Sequence, residues 1–216
     1  MTLFIEAVQD GHRSTSTSTD QTVSGVASMS IAVRNRGRPS AMAAKVRSDA
    51  MTVVDTAVLL LRVTVGLTMV AHGYNHLRNL AGTARWFGSL GMRPPKLHAM
   101  LSGVGEIAAG TALTIGLLTP LAAAFVVGTM VVAGVAAYRA NGFFVFKDGY
   151  EYVLMIAVVC TVIGLLGPGM ASVDALFGLD TALDGAVGLL LAAGLGVAGA
   201  AALLAATWRP VRDPAS

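Results

Sequence analysis

Charge is scarce in this chain. Only 12% of its 216 residues are Asp, Glu, Lys or Arg, about half the share of an ordinary soluble domain, while 55% are hydrophobic and the mean hydropathy is +0.69. That balance excludes a soluble globule. Cysteine is scarcer still. Cys160 stands alone inside an apolar run, which excludes an intramolecular disulfide and a Cys-x-x-Cys redox pair, so any thiol chemistry needs a partner protein. In apolar surroundings such a thiol is a small packing residue. No Gly-x-Gly-x-x-Gly, phosphate loop or nucleophile elbow occurs in a supporting context. The formal charge is +3 and the pI about 9.4, yet the basic residues form no stripe interleaved with aromatics, so nucleic acid is not an expected partner. They flank apolar runs, where they meet anionic lipid headgroups.

What the chain does have is five long apolar runs, at about residues 53–74, 97–118, 121–138, 150–166 and 185–207. Each is close to the roughly 20 residues a helix needs to cross the hydrocarbon of a bilayer. The expected fold is an all-α membrane protein: an antiparallel four-helix bundle followed by a fifth transmembrane helix. Pro120 sits in the tight turn between the second and third runs, which makes them antiparallel neighbours. Gly167-Pro168-Gly169 stops the fourth, and a link carrying Asp174, Asp180 and Asp184 leads to the fifth. The fifth run carries Gly188, Ala192, Gly196 and Ala200 at every fourth position. In lipid this makes a flat ridge for close packing, against the bundle or against a second copy in a homo-oligomer. Trp208 and Arg209 read as an interfacial anchor.

Residues 1–50 differ from the rest. They contain the run Ser14 to Thr19 of alternating serine and threonine and no sustained apolar period, so they are expected to form a disordered extension. Met51 immediately precedes the first run, and translation starting there is the alternative reading. The expected organisation is therefore 1–50 as extension, 51–178 as four-helix bundle, and 179–216 as linker, fifth helix and short tail.

Counted from Met51, eight basic residues outside the apolar runs fall on one side: Arg78, Arg85, Arg93, Lys96, Arg139, Lys147, Arg209 and Arg212. The other side has acids only, among them Asp55, Asp174, Asp180 and Asp184. Basic loops stay inside, which puts the start of the first span outside and the C-terminal tail in the cytoplasm of a multi-pass plasma-membrane protein. Arg34, Arg36, Arg38, Lys45 and Arg47 of the first fifty residues would oppose this with five charges.

Two charges lie near the middle of apolar runs: Arg62 in the first and Glu106 in the second. An unpaired charge near the bilayer centre costs at least about 2.5 to 3.5 kcal/mol, so such residues normally face the bundle interior and pair. The expected arrangement is an Arg62–Glu106 ion pair at the floor of a polar pocket. His72 and His76, four residues apart on one helix face, lie nearer its mouth together with Tyr138 and Glu151. Imidazole titrates near neutral pH, which suits proton relay or recognition of a quinone head group. Each feature also has a plainer reading. The ion pair and histidines can be structural, and Glu151 can be a favourable charge at a helix start. His72 and His76 with one glutamate meet the donor count of a two-histidine, one-carboxylate site, but histidine pairs are common by chance and no metal is assigned.

Several segments together resemble the DoxX family of small membrane proteins. They are Leu59-Leu60-Leu61-Arg62-Val63, His72-Gly73 with His76-Leu77, Gly105-Glu106-Ile107-Ala108-Ala109-Gly110 leading to Gly116-Leu117-Leu118-Thr119-Pro120, Gly142-Phe143-Phe144, Gly149-Tyr150-Glu151-Tyr152, and Gly167-Pro168-Gly169 through Ser172 and Asp174. The resemblance covers about residues 53 to 177. It implies a four-helix membrane bundle related to the DoxD subunit of thiosulfate:quinone oxidoreductase and linked to sulfur, thiol and oxidative-stress handling. His76 stands where the family usually has lysine, Met170 stands where a basic residue is common, and the fifth span is additional. The expected role is a membrane subunit of an oxidoreductase complex whose pocket binds a quinone or relays protons, working with redox-type protein partners. The alternative is a non-catalytic scaffold that recruits soluble oxidoreductases through its basic loops.

Overall fold

The structure, a computed structural model, describes residues 51–210. The segment 1–50, expected to be disordered, and Arg212 lie outside the described residues. Helix α1, Val53–Arg78, starts at a capping box: the Thr52 hydroxyl accepts from the Asp55 amide at 3.1 Å while the Asp55 carboxylate accepts from the Thr52 amide at 2.8 Å. Asn79 then breaks the run, and its side chain accepts from the Gly82 amide to open the short helix α2, Leu80–Ser89. Helix α3, Pro95–Ile115, opens with proline at its first position and ends at Gly116 in the left-handed conformation (φ 71°). Helix α4, Thr119–Asn141, follows after three residues. Its last turns loosen into a π turn, Gly134–Tyr138, and a 3₁₀ turn, Arg139–Asn141. Then come α5, Glu151–Leu166, the single turn α6, Val173–Leu176, and α7, Gly185–Thr207, which contains a π segment at Leu190–Leu195.

The fold is all-helical, as the hydropathy pattern requires. Among the described residues α1, α4 and α7 are long and apolar enough to cross a membrane. The other two expected spans do not qualify on their own sequence. Helix α3 has the length, 21 residues, but carries a polar stripe, and α5 is apolar but at 16 residues only roughly 24 Å long. Both are held by packing. The α1–α3 seam is the most extensive among the described residues, and it is tight: a Cβ on Gly66 would stand 2.5 Å from the Gly110 carbonyl oxygen and one on Gly110 2.5 Å from that of Gly66. Helix α5 packs on α4, and α7 packs on both. The core is drawn from all of these, with Val65, Met69, Leu113, Val126, Cys160, Ile163 and Ala192 in one cluster. Around it runs a belt of exposed apolar side chains, such as Leu60 (63%) and Leu190 (69%), which in a membrane is the lipid-facing surface.

The small-residue ridge of the last helix is spent inside this bundle. Gly188 lies against Gly164, Gly196 against Ala124 and Val127, and Ala192 and Ala200 are buried. The expected homo-oligomer through Gly188, Ala192, Gly196 and Ala200 therefore has no free ridge to form on. Close approach to α4 and α5 already uses it.

Candidate functional site: a carboxylate at the wall of an apolar cavity

Two polar centres occupy opposite ends of the bundle. At the acidic end, Arg62 is completely buried and donates from Nη1 to the Pro168 carbonyl and from Nη2 to the Ala171 carbonyl, each at 2.6 Å. Asp174, also buried, sits close enough to act on that charge and caps α4, accepting from the amides of Leu118 (2.7 Å) and Thr119 (2.9 Å) and from the Thr119 hydroxyl (2.8 Å). These bonds hold Leu118 in the left-handed region (φ 46°), a conformation a leucine does not adopt unaided. Asp55 completes the cluster by accepting from the Met170 amide at 2.9 Å.

The expected Arg62–Glu106 pair is not formed. Helix α1 runs on to Arg78 rather than ending at Tyr74, which puts Arg62 roughly 24 Å from that end, while Glu106 lies roughly 16 Å from the start of α3. The antiparallel register confirms the offset: Gly66 faces Gly110 and Gly73 faces Gly103, so Arg62 is level with residue 114 rather than 106, and its guanidinium ends beside Gly116, where an added Cβ would collide with it. Loop carbonyls freed by the Gly-Pro-Gly break accept from both Nη groups of the arginine, while its buried Nε is left without a hydrogen-bond partner among the described residues.

At the basic end, α3 presents His98, Ser102 and Glu106 on one face, four residues apart, towards His72 and His76 of α1. The Ser102 hydroxyl donates to Glu106 Oε1 at 2.5 Å, and His76 Nδ1 lies 3.5 Å from the same oxygen and 3.3 Å from the hydroxyl. The His76–Glu106 contact becomes an ion pair when the imidazole takes a second proton. Glu106 is 2% exposed, and its Oε2 has no hydrogen-bond partner among the described residues. His72 is close enough to act on the same charge.

This carboxylate lines a cavity of about 490 Å³, within the usual size of small-molecule sites. Met69, Met130, Val153 and Ile156 form apolar wall, and Trp86 and Phe87 of α2 and Leu90 just after it line it as well. Tyr138 and Tyr152 line it from α4 and α5. His98 also faces it, with its Nε2 3.1 Å from the Arg93 carbonyl. Of the six residues expected at the pocket, the cavity gathers Glu106, His72, His76 and Tyr138. Arg62 and Glu151 are elsewhere. Glu151 is braced to the loop before it, accepting from the Val145 amide at 2.9 Å, as befits a carboxylate at a helix N-terminus. Ser102, Trp86 and Tyr152 were not among the expected residues. The first was legible as the residue four before Glu106; the tryptophan was not, because α2 folds back from a loop whose path the sequence leaves open. Among the described residues no three of His, Cys, Asp and Glu cluster as a metal ion needs.

Residues 57–139 match the DoxX family model. This stretch is similar to the DoxX domain. No curated protein and no solved structure matches the chain. The matched stretch runs from α1 to the end of α4, so it contains His72, His76, Ser102, Glu106 and Tyr138. The DoxX match is narrower than the span suggested by the motifs: Gly149 to Tyr152 and Gly167 to Asp174 lie beyond it, as does α7.

Proposed function

We propose that this DoxX-domain protein is the membrane subunit of a redox-linked system that handles thiol, sulfur or oxidant chemistry, and that its cavity binds the head group of a quinone. The observation that carries the reading is Glu106 Oε2, buried and without a partner among the described residues, beside an apolar cavity. A buried polar atom left unpaired costs about 1 to 3 kcal/mol, a cost that a bound oxygen-bearing head removes. A carboxyl group suits a quinone in both of its forms, since it donates to a carbonyl when protonated and accepts from a hydroxyl when ionised. Reducing a quinone to its hydroquinone takes two electrons and two protons. His76, 20% exposed, links Glu106 to the mouth of the cavity as a proton path. The electrons come from a soluble oxidoreductase, because the only thiol, Cys160, is sealed in the core.

That partner docks at the basic end, where Arg85 lies on α2 and Arg78, Arg93 and Lys96 flank it. By the inside rule for basic residues this end faces the cytoplasm of the plasma membrane. The test is purification of the full chain from its membrane in mild detergent, followed by extraction of lipid-soluble cofactors. Quinone is expected with the wild type and at least about tenfold less with Glu106→Gln, whose helical content is unchanged. Equal quinone content in the two, or none in either, overturns the proposal.

A further inference from the structure

The cavity is not confined to the DoxX-matched helices. Helix α7 lies along α4 rather than α3, which leaves the outer part of α4 as the floor of a cleft with α3 on one side and α7 on the other. Leu101 and Val104 of α3, Phe125, Thr129 and Val132 of α4, and Leu203 of α7 all line the cavity. Leu101 and Val104 are more than half exposed, so the same side chains that bound the cavity also bound the lipid-facing surface. Towards the basic end the elements are tied together by hydrogen bonds. Leu90 accepts from Trp208 Nε1 at 2.8 Å, Arg93 donates to Thr207 and Arg209 donates to Gly91, which ties α2 and its loop to the end of α7. The cavity thus has a polar inner wall at Glu106 and an apolar side passage towards acyl chains.

We infer that the occupant is a single-tailed amphiphile, its hydroxyl or carbonyl head on Glu106 and its hydrocarbon chain leaving sideways between α3 and α7 into the bilayer. The last helix is then one wall of the binding site, although it lies outside the residues that match the family. A head group alone fills the inner part and touches neither Val104 nor Leu203. A chain attached to it must pass both. This deepens the preceding proposal and rests on the cavity being a binding site, but not on any redox step.

The experiment uses the full chain in lipid nanodiscs and two probes, decylubiquinone and its tail-less parent 2,3-dimethoxy-5-methyl-1,4-benzoquinone. Binding is followed by quenching of tryptophan fluorescence at membrane concentrations corrected for partitioning. Val104→Phe and Leu203→Phe narrow the passage, and Leu190→Phe, on the exposed surface away from the cavity, controls for added bulk. The first two are expected to weaken the decyl compound about tenfold and leave the tail-less one within about twofold, with the control unchanged. If both probes bind the wild type and the narrowing variants affect them equally or not at all, the side passage is wrong while the binding site stands. If neither probe binds the wild type, the binding-site reading itself fails and this inference with it.

Discussion

Arg62 and Glu106 show how differently two buried charges are settled. The arginine has two carbonyl partners at 2.6 Å, and the planar guanidinium suits that fork. Arg62→Met strands both carbonyls and is expected to lower stability by about 3 kcal/mol, read as a fall in thermal midpoint in detergent. Arg62→Lys recovers only part of it, because a point charge does not span both acceptors. Glu106 is held by one hydroxyl and one imidazole and keeps a free oxygen. Ser102→Ala is therefore expected to change stability by no more than about 1 kcal/mol yet to loosen the carboxylate and weaken ligand retention several-fold, measured as co-purifying quinone. A large loss of folded protein with Ser102→Ala would make this hydroxyl structural instead.

At the scale of elements, the acidic end is organised by Asp174, which lies 55 residues from the helix it caps. Asp174→Ala is expected to cost about 2 kcal/mol or more and to fray the start of α4, seen as faster amide exchange at Leu118 and Thr119. Helix α1 and helix α3 approach through glycine rather than through side-chain interdigitation. Gly66→Leu is expected to disrupt that seam and leave little folded protein after extraction; a well-folded Gly66→Leu variant would show that the helices can separate without loss. The π turn at Gly134–Tyr138 matters because the extra residue per turn sets the direction of Tyr138, which lines the cavity.

The molecule as a whole is asymmetric across its length, with an acid-capped end bound by carbonyls and a basic end tied by Trp208. Arg139 lies over the Trp208 ring, 5.7 Å from its centroid, so the ends of α4 and α7 and the loop before α3 meet at one face. A reporter fused after residue 210 is expected to behave as cytoplasmic, and a cysteine placed at Gly178 to react with a membrane-impermeant maleimide added outside. The opposite labelling pattern would reverse the orientation and move the proposed docking face to the outside.

The sequence by itself determined the class of the protein. Scarce charge and long apolar runs admit only a helical membrane bundle, and glycine and proline marked most of the breaks because those residues end helices wherever they fall. It also marked Glu106, His72 and His76, since a charge among apolar residues and a four-residue spacing are local facts. Tertiary structure decided the partners. Whether Arg62 meets Glu106 depends on the register of two helices, and register was fixed by where Gly66 and Gly110 can touch and by one further turn of α1. Ser102, Trp86 and Leu203 joined the cavity for the same reason: their positions follow from how helices cross and fold back, which no stretch of the chain encodes alone.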